Sequence, residues 1–221
     1  SHQLMDTVSS SDIDPSIRVT VIAFTSSWPS TFPSSSDSFS QSYTEGFLHR
    51  YDTIARCLKP TVALVDGDLA GILTEMAISC DIVYASDRST FAMDHILKGC
   101  IPGLGGTQRL PRSIGKSLAM EMILSGEPIT ARDAKQAGLI SKVIPIHRLL
   151  KEGVSLGNRL GDKSSLIQSM VKEAVDHSYE TSLREGLVLE SKLFRMTFGT
   201  KDKMEGMTAH FERRKPKFIG E

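Results

Sequence analysis

The stretch from Thr61 to Ser86, "TVALVDGDLAGILTEMAISCDIVYAS", restricts the fold of this chain more than any other segment. "TVALVDG" is an apolar run closed by a turn and reads as a strand. In "LAGILTEMAISCD" the residues Ile72, Leu73, Met76, Ala77 and Cys80 recur at helical spacing, and "IVYAS" is again an apolar strand. Strand, helix, strand at these lengths is a βαβ unit. The expected class is therefore α/β, with a parallel sheet covered by helices and ligands outside the carboxyl ends of the strands.

The flanks extend this pattern. Residues 2–13 read as the end of a weak helix, and "DPSIRVTVIAF" supplies a turn and then a buried strand from Val19 to Phe24. "TSSWPSTFPSSSDSFSQS", Thr25 to Ser42, is dense in serine and proline and reads on composition as a loop or linker. Helical spacing returns at Phe47, Tyr51, Ile54 and Leu58, and Pro60 ends it. Beyond Thr107, "SLAMEMILSG" and "TARDAKQAG" read as helices stopped by Gly126 and Gly138, and "LISKVI" as a short apolar extension. The remainder, closing on the basic "FERRKPKF", reads as two or three amphipathic helices. Two regions are expected, an α/β core over residues 1–125 and a helical region over 126–221.

Charge narrows the partners. Basic and acidic residues balance at 26 each, so no general pull toward nucleic acid or an anionic membrane is expected, and any polyanion must be held locally. Cys57, Cys80 and Cys100 contain no CxxC pair, which speaks against a zinc site or a disulfide framework and fits a reducing compartment. The longest apolar runs are far too short to cross a bilayer, and residues 1–20 show no signal-peptide pattern.

Three features carry possible chemistry. Glu75 sits at the edge of the apolar stripe of its helix, where a solvated carboxylate is the ordinary reading; a dry pocket would make it a general base. His95, in "FAMDHILKGC", reads as a structural histidine or as a proton carrier with Asp94 beside it in sequence. In "GCIPGLGGT", Gly99, Gly103, Gly105 and Gly106 crowd a turn leading into a helix, which leaves backbone N–H groups free to face an anion or a polarised oxygen. Neither GxGxxG nor GxxxxGK[ST] is matched, and HExxH and EF-hand patterns are absent from the sequence.

Together "KPTVALVDG", "LAGILTEMAISCDIVYASD", "FAMDHILKGCIPGLGGTQRLPRSIGKSLAMEMILSG", "ITARDAKQAGLISKVIP" and "FGTKDKMEGMTAHFERRKPKF" resemble the enoyl-CoA hydratase (crotonase) family, densely over residues 59–221 and loosely over 4–58. The resemblance implies a crotonase-like ββα spiral core, with its first turn missing from this chain, and a C-terminal helical region that builds trimers, often paired into hexamers. It implies hydration of short-chain 2-trans-enoyl-CoA in fatty-acid β-oxidation, with the coenzyme A thioester as substrate, no tightly bound cofactor and no metal. In the family, glutamates at the positions of Glu75 and His95 hold a water and add it across the 2,3 double bond, and the N–H at the position of Gly103 helps hold that water. Two backbone N–H groups form an oxyanion hole for the thioester carbonyl. Here they would come from Ser36, in "FPSSSD", and from Ile72, where the family carries a run of glycines. Ser34, Ser36 and Arg213 fall where CoA is bound, the cation being brought by a neighbouring subunit.

The departures at His95, at Ile72 and in the serine-rich loop give a second expectation of a different class. It is a crotonase-fold pseudoenzyme that assembles with itself or with an active paralogue. A third keeps catalysis and changes the reaction to isomerisation, decarboxylation or thioester hydrolysis. A mitochondrial matrix location follows from the resemblance, with a cytoplasmic one as the alternative.

Overall fold

In the computed structural model residues 2–25 and 53–221 are described, and the structural statements below concern them. β1 (Thr20–Thr25), β2 (Thr61–Asp66), β4 (Ile82–Ser86) and β7 (Lys142–Ile144) lie side by side in that order, every neighbouring pair parallel. β3 (Asp68–Ala70), β5 (Thr90–Ala92) and β6 (Ile129–Thr130) form a second sheet, β3 parallel to β5 and β6 antiparallel to it. Each winding sends a strand through the first sheet and a short strand through the second, and then leaves by helix. β2, β3 and α2 (Ile72–Ala77) make one winding; β4, β5 and the 3-10 turn Asp94–Lys98 with α3 (Gly106–Ile114) and α4 (Lys116–Ser125) make the next. This is the expected ββα spiral.

Burial explains the composition of the strands. Five of the six residues of β2 are buried, as a strand covered on both faces requires, which is why "TVALV" is apolar without alternation. One face carries the main core, where Phe24, Ile54, Val65, Leu69, Met76, Phe91, Met93 and Leu110 meet. The other carries a smaller cluster of Val62, Leu64, Tyr84, Ile144, Leu149 and Leu156 beneath α6 (Ile146–Gly161). α6 approaches closely because Gly153 faces Leu64; a Cβ there would lie 2.4 Å from a Leu64 methyl.

α4 and α5 (Ala131–Ala137) end at Gly126 and Gly138, as the spacing indicated. The expected division at 125/126 falls between α4 and β6. Beyond it β6 and β7 still pair with β5 and β4, and Ala131 and Ala134 of α5 enter the main core, so strands of both sheets come from the second region. The purely helical part is α6, α7 (Ser165–His177), α8 (Leu183–Thr197) and α9 (Lys201–Phe211). α7 is fixed to the spiral by Lys172, whose Nζ lies 2.9 Å from Asp81. Asp81 also accepts from the Thr61 N–H and hydroxyl at the start of β2. Cys57 and Cys80 are buried thiols, pushed up to about 11 and about 12, chiefly by desolvation. Both are core residues, protonated near neutrality.

The last residues fold back on α9 around Asp202. This buried carboxylate accepts the N–H groups of Ile219 and Gly220, each at 2.8 Å. Burial alone would raise its pKa, but the Ser164 hydroxyl and those two N–H groups outweigh burial and hold it below its ordinary 3.8. A carboxyl depressed by folding contributes stability that is complete above its unfolded value and is lost as pH falls through the folded one. Asp202→Asn is expected to lower stability at neutral pH by about 1–3 kcal/mol and to flatten the loss of stability below pH 3.8, read from urea unfolding midpoints across an acid series.

Candidate active site

The site is built from two short helical elements and one turn. α2 begins at Gly71, whose φ of +56° turns the chain out of β3 in a conformation that only glycine adopts cheaply. That start places Glu75 in the first helical turn, on the inward side with Thr74, Met76 and Ala77. The second element is the 3-10 turn after β5, closed by Gly99, and it carries Asp94 and His95. The third is the glycine turn, residues 99–106, which opens α3.

Glu75 is 0% exposed and His95 1%. A carboxylate so deeply buried is costly unless it is paired and hydrogen-bonded. Its Oε1 accepts the N–H groups of Leu104 and Gly106, each at 2.8 Å. Its Oε2 lies 3.1 Å from His95 Nε2, within ion-pair range. The ring is not aligned for a hydrogen bond, so Oε2 and both imidazole nitrogens are buried without a hydrogen-bond partner among the described residues. The Asp94 carboxylate divides its duties: Oδ2 takes the Lys98 ammonium at 2.8 Å, while Oδ1 is buried and also unpartnered.

The glycine turn earns its composition here. A Cβ on Gly106 would stand 2.9 Å from Glu75 Oε1 and 3.0 Å from Pro102 Cβ. The turn is braced by Arg109, whose Nη1 donates to the Leu104 carbonyl at 2.6 Å. Sequence reading found the free N–H groups of this turn but not their owners. Leu104 and Gly106 reach Glu75, whereas Gly103 stands exposed at the start of the turn.

These elements also fit a known pattern. The family model for enoyl-CoA hydratase/isomerase matches residues 2–221. The chain belongs to that family. It is 48% identical over 172 residues to the mitochondrial enoyl-CoA hydratase of Pongo abelii, covering 78% of this chain and 59% of that protein. It is 44% identical over 169 residues to a probable mitochondrial enoyl-CoA hydratase of Dictyostelium discoideum, covering 76% of this chain and 61% of that protein. The chain thus spans about three-fifths of the length of these relatives. Among solved structures, an enoyl-CoA hydratase from Bacillus anthracis superposes with a TM-score of 0.90 at 24% identity, over 99% of this chain and 88% of that one, which shows the crotonase fold.

Of the other expected site residues, Ile72 is the first residue of α2 and its side chain packs partly buried against the main core. Ser34 and Ser36 lie outside the described residues. Arg213 is exposed just past α9, with φ +55°, next to Arg214, which is bound to Glu205 and Glu212. It stands apart from the Glu75–His95 pair in sequence and is not among the groups that pair touches.

A groove of about 2000 Å³ runs between the spiral and α7–α8, lined by Asp81, Arg109, Lys172, Asp176, Leu193 and Phe194 among others, and neither Glu75 nor His95 lines it. Size alone would favour it as a binding place. Its Lys172–Asp81 pair is satisfied and Gln168 Oε1 is its one buried side-chain atom without a hydrogen-bond partner among the described residues, whereas four such atoms, on Glu75, Asp94 and His95, gather around the imidazole. Unpaired polar atoms mark chemistry more strongly than volume does.

Gly106→Ala is expected to push the turn away from Glu75, breaking one or both N–H contacts, and to cost about 1–3 kcal/mol of stability, measured by urea unfolding.

Proposed function

We propose that this protein binds short-chain 2-enoyl-CoA thioesters and hydrates them, with Glu75 and His95 handling the protons. The carrying observation is the Glu75 carboxylate, fixed through Oε1 by two backbone N–H groups and set 3.1 Å from His95 Nε2 through Oε2. Support comes from relatives whose names specify enoyl-CoA hydration.

As the water oxygen bonds to C3 of the enoyl group, Glu75 takes one water proton. The π pair of the double bond moves toward C2 and the thioester carbonyl. A protonated His95 then delivers its proton to C2. Transfer of the proton on Glu75 to His95 across their contact restores both groups, and the sum is one water added. The N–H groups of Ser36 and Ile72 would hold the thioester oxygen while it gathers charge, and that of Gly103 the attacking water. Ser34, Ser36 and Arg213 would hold CoA. No bound cofactor or metal enters any of these steps.

A second reading is favoured by the closure of the same pair. With Glu75 and His95 fully buried against each other, the ground state leaves no gap for a water between them, and the Ile72 side chain fills space that the family keeps open with glycine. On that reading the protein is a crotonase-fold pseudoenzyme whose function is assembly, alone or with an active paralogue. Self-association fits either reading. Leu150, Val171, Leu187, Phe194, Met204 and Phe211 on the helical region expose apolar surface of the kind that oligomers cover, consistent with a trimer or a hexamer. The names of the mitochondrial relatives support a mitochondrial location, and the family resemblance extends this reading to the matrix and to β-oxidation.

Hydration of crotonyl-CoA by the purified protein tests the first reading. Glu75→Gln and His95→Ala are each expected to lower the rate by about 10²–10⁴-fold, and an unchanged rate in both refutes the assignment. Saturable binding of acetoacetyl-CoA, followed by calorimetry, argues against an empty scaffold even where turnover is slow.

A further inference from the structure

The unpaired Asp94 Oδ1 has no part in the proton cycle above, yet it lies at the centre of the site. A Cβ built on Gly71 would fall 2.7 Å from Asp94 Oδ1, 3.6 Å from His95 Cε1 and 3.7 Å from His95 Nε2. Two consecutive side chains of the 3-10 turn therefore converge on the bare face of Gly71, where no other residue type leaves room. Glu75 Oε2 from α2 lies 3.1 Å from His95 Nε2, and Asp94 Oδ1 converges with the ring on the same face of Gly71. Both oxygens are buried, and neither has a hydrogen-bond partner among the described residues.

Other groups around the ring are accounted for. Lys98 holds the outer oxygen of Asp94. Cys100 Sγ lies 3.3 Å from the His95 carbonyl rather than the ring. On the glycine-turn side Arg109 is turned to the Leu104 carbonyl, and α4 meets the 3-10 turn through Gly126 against Ile96 and Leu97, with Lys116 and Glu121 of α4 exposed. The ring nitrogens, Glu75 Oε2 and Asp94 Oδ1 thus share one buried pocket with no hydrogen bond among the described residues holding any of them.

The geometry points to Asp94 as a positioning residue that acts through His95, supplying from the preceding residue a second carboxylate to a site whose family pattern places one at position 95. Its negative charge favours the imidazolium that His95 becomes when it carries a proton, and its place over Gly71 keeps the ring beside Glu75. The inference rests on the reading of His95 as the proton carrier only for its catalytic consequence. The placement of Asp94 beside His95 is tested independently of turnover.

The test is the NMR titration of the His95 ring, assigned by its loss in His95→Gln, in the whole protein and two variants. Asp94→Asn removes the charge at nearly constant shape and is expected to lower the His95 midpoint by about 1 pH unit. Lys98→Met removes the cation that screens Asp94 and is expected to move the midpoint the other way. Because loss of the Lys98 cation raises the midpoint by itself, the role of Asp94 is read from the Asp94→Asn shift. The pH dependence of crotonyl-CoA hydration should shift in the same directions. An unmoved midpoint in Asp94→Asn, with the amide spectrum retained, overturns the inference; if Asp94→Asn fails to fold, Asp94→Ser is titrated in its place. Loss of hydration in His95→Ala with midpoints unmoved in the other variants overturns this inference only. Moved midpoints with hydration unchanged in His95→Ala support the coupling and overturn His95 as proton carrier.

Discussion

A carboxylate is buried at the middle of this protein, and much of the local architecture exists to make that burial tolerable. An isolated anion in a dry interior costs several kcal/mol or more, roughly the scale of a whole domain's net stability. Glu75 escapes that cost through two backbone N–H groups that α3 cannot use internally, because they belong to its start and to the turn before it. Burying Glu75 thus requires the glycine turn to lie against α2. The turn in turn requires Gly106 to lack a side chain and Arg109 to bind the Leu104 carbonyl. Sequence-distant segments are locked to one another by a single charge.

The spiral provides the frame for that lock. Because β2 and β4 are neighbouring parallel strands, the segments that leave their carboxyl ends emerge on the same side, through β3 and β5, which are themselves paired. α2 and the 3-10 turn are then adjacent by topology, and Glu75 and His95 meet although they lie on successive windings. This is the general reason that open parallel sheets gather function at the carboxyl ends of their strands.

How much of this could be read in the sequence differs between fold and site. The βαβ core was visible because strands buried on both faces are continuously apolar, and α4 and α5 were bounded because glycine ends helices. β5 and β6 are too short to show a period, so the second sheet left no pattern of its own. Glu75 and His95 were each singled out but, taken alone, read as ordinary residues; only the family pattern put them together, and only coordinates supply the distance. Leu104 was unreadable as a participant, since its contribution is a backbone N–H that any residue would offer. Asp94 was read as a neighbour of His95, and its convergence with the ring over Gly71 depends on a glycine φ that sequence does not specify.

The substitution at position 95 has an electrostatic logic. Two glutamates facing each other across a buried gap of this size repel unless water or a proton sits between them, so such a site stays open at a cost in stability. A histidine at this position removes that like-charge repulsion, and here the two groups lie 3.1 Å apart with almost no exposure. On the proposed function, what stabilises the resting protein is what a substrate and its water must displace, the usual opposition between stability and a functional site held ready. Asp94 Oδ1, converging with the ring over Gly71, is a second carboxylate oxygen in the same pocket, and the Glu75 oxygen facing His95 is the one that no backbone group holds.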